Sequence, residues 1–189
     1  MSELLDEVRQ IRAQADCLHD EAAVNAAYDR LAGRLTAEYA TLNPILICVM
    51  VGGLVTTAEV SRRLDFPFEI DYLHASRYRG KTSGGELVWK VSPTLPLKGR
   101  HVVIVDDILD EGHTLAEVQG ALRAQLPESL KTLVLVDKTH SRRAPGVSAE
   151  FVGLEVADRY VFGAGMDYKS YWRQLPGIYA VAESNDAPE

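Results

Sequence analysis

The chain has 189 residues, enough to bury a substantial core in a single domain. Hydrophobic residues make up 47% and charged residues 25%, an ordinary balance for a soluble globular protein. Lys and Arg number 20 against 27 Asp and Glu, a net charge of −7 that argues against a general nucleic-acid binder, because such binding draws on clustered cations.

Two cysteines, Cys17 and Cys48, make neither a disulfide framework nor a metal set, and Cys48 lies in an apolar run that predicts a buried thiol. The opening residues are polar and acidic, unlike a signal peptide, and no apolar run has the length of a membrane span. The expected compartment is the cytoplasm, with no membrane partner.

Leu4, Val8, Ile11, Ala15 and Leu18 recur at helical spacing and predict a first helix. Val24, Tyr28, Leu31, Leu35 and Tyr39 predict a second, capped by Asp20. "PILICVMVGG" reads as a buried strand ending at Gly52 and Gly53, with a helix over roughly 54–64 after it. "FEIDYLHAS" and "LVWKVS" read as strands of a hairpin whose tip, "RYRGKTSGGE", is basic, glycine-rich and expected to be mobile. "HVVIVDD" is the next buried strand, and Leu115, Val118, Leu122 and Leu126 mark the helix after it. "LKTLVLVDK", "AEFVGLEV" and "GIYAVAE" are three further strands. From residue 183 "ESNDAPE" is polar and predicts a short disordered tail behind a single domain of residues 1–182.

Strands that are apolar throughout, alternating with helices, predict an α/β fold with a doubly wound, mainly parallel sheet. Ligands in such sheets bind beyond the carboxyl ends of the strands. The chemistry is therefore expected after Met50, Val105, Val136 and Val156.

The stretch "VVIVDDILDEGHT" carries the clearest signal. It drives a buried strand into Asp106 and Asp107, then into a loop with Asp110, Glu111, Gly112, His113 and Thr114 that leads to a helix. Neighbouring side chains on a strand point to opposite sides, so one of the two acids is expected to face a ligand directly. The pair needs a cation or hydroxyl groups to neutralise it, since unpaired buried carboxylates are costly. Gly112 allows a tight turn, and the helix N-terminus with the Thr114 hydroxyl can cradle a phosphate. The complementary ligand is a sugar phosphate with a cis-diol. Acids and glycine after a strand also serve as plain capping turns, so composition alone leaves both readings open.

"VVIVDDILDEGHTL" resembles the phosphoribosyl-pyrophosphate (PRPP) motif of type I phosphoribosyltransferases: four apolar residues, two acids, two apolar residues, Asp, a variable residue, Gly, a variable residue and Thr. "VLVDKTHSRR" and "FVGLEVADRYVFGAGMDYKSYWRQLPGIYAV" resemble the hypoxanthine-guanine branch, so that the resemblance covers roughly residues 44–181. It implies the type I phosphoribosyltransferase fold, with the two N-terminal helices in an interface or a hood and the basic hairpin as a flexible lid. It implies a purine-salvage enzyme that joins hypoxanthine or guanine to PRPP with Mg²⁺, releasing pyrophosphate, and an assembly of two or four copies.

Residue by residue, the resemblance gives Asp106 and Asp107 to the ribose hydroxyls, directly or through Mg²⁺. Asp110 becomes the general base at purine N7, and its acidic neighbourhood predicts a raised pKa. Glu111, Gly112, His113 and Thr114 enclose the 5′-phosphate, with the backbone of Glu111 and His113 mattering more than their side chains. Lys138 donates to the purine 6-oxo group, which disfavours adenine. Tyr160 stacks on the base, Val161 and Asp167 meet its 2-substituent edge, and Asp167 lies near a second Mg²⁺. Gly52 and Gly53 form the pyrophosphate loop, and Arg173 contacts pyrophosphate. The family often has a cis peptide in that loop. Two departures stand out: Val51 replaces the usual Lys or Arg before the glycine pair, and Arg77 precedes Tyr78 in the lid where a serine is usual. Xanthine as the preferred base, or an RNA- or nucleotide-binding regulator on the same fold, are the alternatives.

Overall fold

The computed structural model describes residues 2–77 and 87–182. Tyr78, the rest of the lid tip and the 183–189 tail lie outside the described residues. Helix α1 (Ser2–Gln14) opens the chain. The helical spacing continues to Leu18, but the chain leaves the helix at Ala15, and Asp16–His19 form strand β1. The reason is tertiary: β1 pairs antiparallel with β9 (Ile178–Ala180), Cys17 opposite Tyr179, and that ladder overrides a weak local preference. Helix α2 (Glu21–Tyr39) follows, with the Ala23 N–H donating to the Asp20 carboxylate at 2.8 Å as the cap residue predicts.

Strand β2 (Ile45–Val49), helix α3 (Gly53–Ser61) and strands β3 (Glu69–Arg77) and β4 (Leu87–Val91) come next. Then come β5 (His101–Leu109), helix α4 (His113–Arg123), β6 (Ser129–Thr139), β7 (Phe151–Ala157) and β8 (Val161–Phe162). The main sheet has the order β4-β3-β2-β5-β6-β7, parallel except for β4. Its two faces take alternate residues, as the pleat requires. Val103 and Val105 pack towards α2 and α3, while Val102 and Ile104 pack towards α4. The sheet is doubly wound, as expected.

"GIYAVAE" is a strand, but it belongs to a second sheet, β1-β9-β8, and not to the main one. Helix α1 covers this small sheet. Ile11 packs with Phe162 and Val181, and the Trp172 indole N–H donates to the Val8 carbonyl at 2.9 Å. The two N-terminal helices therefore differ in role: α2 closes the main core and α1 builds the hood. Among the described residues no helix is long and apolar enough to cross a membrane.

One buried acid secures the root of the β3–β4 hairpin. Asp71 accepts from the backbone N–H groups of Tyr72, Thr94 and Leu95 at 2.8, 2.6 and 2.8 Å. Burial acts to raise its carboxyl, but these donors prevail and hold it below the ordinary value. A group depressed in the folded state stabilises above its unfolded pKa, near 4, and that stability is lost as pH falls through the folded value. Asp71→Ala should therefore cost about 3 kcal/mol in urea unfolding at neutral pH, and the gap to the parent should narrow in acid.

Candidate active site

Strand β5 is longer than its sequence suggests. It pairs with β2 as far as Val105, opposite Cys48, and continues alone along β6 to Leu109, opposite Asp137. Asp106 and Asp107 thus lie past the end of the β2–β5 ladder. Both acids have room there, and both line one open cleft of about 570 Å³, instead of one pointing in and one away.

Gly52, Asp110, Thr114, Lys138, Tyr160, Val161, Asp167 and Arg173 line the same cleft. Glu111, Gly112 and His113 line an adjoining hollow of about 370 Å³ that shares Asp106, Asp110 and Thr114. Gly53 sits behind the wall as the first residue of α3. Arg77 ends β3, and Tyr78 is outside the described residues. Residues from the β2, β5 and β6 ends and from the hood thus converge, as topology predicts.

The acidic pair is crowded. The Asp107 N–H donates to Asp106 Oδ1 at 2.9 Å, and the Ile108 N–H to Asp107 Oδ1 at 2.7 Å. Burial, then the charge of Asp107, pushes the Asp106 carboxyl well up, and burial raises that of Asp107. Arg173 offsets part of this charge. Its Nη1 lies 3.7 Å from Asp107 Oδ2 and donates to the Gly165 carbonyl at 2.6 Å, while its Nη2 pairs with Asp167. Asp167 also accepts from the Ser170 N–H at 2.6 Å.

Asp110 departs from expectation. It is held below the ordinary carboxylate range, not raised. Partial burial acts upwards, but Lys138 Nζ at 2.6 Å from Oδ2 and His140 Nε2 at 2.7 Å from Oδ1 prevail. The acids Asp106 and Asp107 are absent from the groups that set it; the charge of Asp107 acts on Asp106 instead. The Arg142 N–H donates to His140 Nδ1 at 3.0 Å, so the imidazole proton sits on Nε2 and is given to Asp110.

On the base side, Tyr160 is 43% exposed at the cleft and meets Tyr168 edge-on at 5.5 Å. Val161 is buried beside it. At the opposite wall the Met50–Val51 peptide is cis. Val51 lines the cleft as an apolar residue, with no cation in its place. Gly112 has φ 80° at the N-terminus of α4, and a Cβ there would lie 2.6 Å from Val147 Cγ1, so glycine is required. Glu111 and His113 face each other at 3.7 Å, their side chains about half exposed.

Sequence reasoning did not find His140, nor Ile108 and Met166 in the cleft wall. A signal for His140 existed: it lies two residues after Lys138 where the strand ends, and alternate residues of an extended chain share a face.

A family model described as phosphoribosyl transferase domain matches residues 14–170. A hypoxanthine-guanine-xanthine phosphoribosyltransferase of Tritrichomonas foetus is 34% identical over 167 residues, 88% of this chain and 91% of that one. The hypoxanthine-guanine phosphoribosyltransferase of Bacillus subtilis is 34% identical over 162 residues, covering 85% and 89%. The solved hypoxanthine phosphoribosyltransferase of Trypanosoma cruzi, in complex with the product IMP, superposes with a TM-score of 0.83 at 31% identity, covering 91% and 97%. The chain belongs to the phosphoribosyl transferase family, in its hypoxanthine-guanine branch.

Proposed function

We propose that the protein transfers the phosphoribosyl group of PRPP to hypoxanthine or guanine in the cytoplasm, giving IMP or GMP and pyrophosphate. One observation carries the choice of base. Lys138 Nζ and Asp110 Oδ2 stand 2.6 Å apart at the cleft wall, a donor beside an acceptor. A 6-oxopurine protonated at N7 presents the reverse pair on one edge, an acceptor O6 beside a donor N7–H. Adenine presents a 6-amino donor to the lysine and leaves it unpaired.

In the reaction the C1–oxygen bond to pyrophosphate breaks, the bond from purine N9 to C1 forms, and the N7 proton passes to Asp110. The sugar passes through an oxocarbenium-like transition state, as in other glycosyl transfers. Asp110 is ionised at neutral pH because Lys138 and His140 hold it so. As Lys138 turns to O6, the carboxylate loses one of these donors and its basicity rises. The α4 N-terminus with Gly112 and Thr114 takes the 5′-phosphate. Gly52 offers backbone to the pyrophosphate, and Tyr160 covers the base.

Among the described residues no three His, Cys, Asp or Glu side chains are grouped to hold a metal by themselves. The oxygen-only pair Asp106 and Asp107 fits a hard cation that shares its shell with substrate oxygens and water. Asp106 and Asp107 would hold Mg²⁺, which would supply positive charge to offset that of the pyrophosphate. Asp167 would join it only by loosening Arg173 or the Ser170 N–H.

The test is a purine panel with PRPP and Mg²⁺, with nucleotides resolved by chromatography. IMP and GMP should form and AMP should not. AMP at a comparable rate, or no nucleotide from any purine, overturns the proposal, and XMP as the dominant product moves it to the xanthine-preferring alternative.

A further inference from the structure

Lys138 has two tasks that compete. It pairs with Asp110 in the free protein, and the proposed base recognition asks it to meet O6 instead. Even with this pair made, 42% of the Asp110 side chain is exposed, one residue beyond the end of β5. A carboxylate so placed has several rotamers open to it, and proton transfer needs one of them.

A second partner is already in place. His140 is nearly enclosed, with 2% of its side chain exposed, and its Nε2–H reaches Asp110 Oδ1 at 2.7 Å. Its ring is fixed from behind by the Arg142 N–H at 3.0 Å. Arg142 is itself anchored, by a bidentate pair with Asp158 at 2.7 and 2.9 Å and by Glu111 at 3.3 Å. Glu111 follows Asp110 in the phosphate loop, so the same arginine ties the support of the histidine to the loop that Asp110 begins. Neither His140 nor Arg142 lines the cleft, so neither is needed to touch a substrate.

We propose that His140 is a positioning residue: through Nε2–H it keeps the Asp110 carboxylate aimed at purine N7 when Lys138 leaves it for O6. This rests on the reading of Asp110 as the base. The titratable and charged groups around Asp110 are Lys138 and His140 from the β6 end, Asp106 and Asp107 from β5, and Asp167 and Arg173 elsewhere in the cleft wall. Of these, Lys138 and His140 touch it. The proton has a defined course: it leaves N7, arrives on Asp110 Oδ2, which Lys138 has vacated, and Oδ1 stays with the histidine.

Two variants test this, read by single-turnover rates with hypoxanthine and saturating PRPP. His140→Leu fills the space without a donor. It should slow the chemical step roughly 10- to 100-fold, with the KM for PRPP, taken from separate steady-state rates, unchanged. Its acid limb should move to higher pH, because a carboxylate that loses a donor is protonated more easily. His140→Gln presents an amide N–H in place of Nε2 and should recover most of the rate and the original acid limb. The inference is overturned by a His140→Leu rate within about twofold of the parent. It is equally overturned if His140→Gln, folded by its thermal transition, is as slow as the leucine variant. Asp110→Asn measured alongside separates the two claims. If it is slow while His140→Leu is normal, only the role of His140 falls; if it is normal, the reading of Asp110 falls first.

Discussion

Asp110→Asn should lower single-turnover formation of IMP by about 10²- to 10⁴-fold, the range expected when a positioned general base is removed. Asparagine keeps the shape of the side chain but cannot take a proton from N7. It also disturbs the ground state in a way the geometry defines. Lys138 and His140 both donate to the carboxylate, one to each oxygen. An amide has one oxygen, so its NH₂ must face one of the two donors. Some loss of stability is therefore expected beside the kinetic loss, and a thermal transition separates them. Binding of PRPP should be nearly unchanged, since Asp106, Asp107 and the α4 N-terminus are intact. A variant that turns over hypoxanthine at near the parent rate removes Asp110 from the chemistry, whatever its binding shows.

The contrast between Asp110 and its neighbours marks the limit of what sequence can convey. The run of apolar strands and helices made the doubly wound sheet legible, because burial on both faces leaves continuous apolar runs such as Val102 to Val105. The same reasoning placed "GIYAVAE" as a strand but not in which sheet, because pairing with Asp16–His19 is a contact across 160 residues or so of chain. Helical spacing carried the first helix four residues too far for the same reason. At the site, the motif located the acids, yet their protonation tendencies were inverted at Asp110. Proximity in sequence to two other acids suggested a raised pKa, whereas two donors from the β6 end, Lys138 and His140, decide it. Nor could alternation along a strand show that Asp107 shares the cleft with Asp106, since that depends on the β2–β5 pairing ending at Val105, four residues before β5 does.

Gly52→Ala should reduce the affinity for PRPP by about 100-fold while leaving the fold largely stable, a result calorimetric titration can read directly. Three segments meet at this glycine. A Cβ on it would overlap the Asp107 carboxylate, whose carbon would be only 2.6 Å away. Real Cβ atoms do not approach so closely, so one partner must move. Asp107 is the softer one, but it holds the Ile108 N–H at 2.7 Å and faces Arg173. Swinging it out breaks the acidic pair to which we assign the proposed grip on ribose. The alternative, lifting the loop, is blocked on its far side, where Gly165 sits against the Gly52 carbonyl so tightly that its own Cβ would fall 2.6 Å from that oxygen. Gly53→Ala supplies the contrast. Its Cβ would strike the Val105 backbone carbonyl, which cannot rotate away, so the cost there should fall on stability, about 1–3 kcal/mol in urea unfolding. If Gly52→Ala binds PRPP as the parent does, the loop does not adjoin the bound sugar, and the grip assigned to Asp107 must be sought elsewhere along β5.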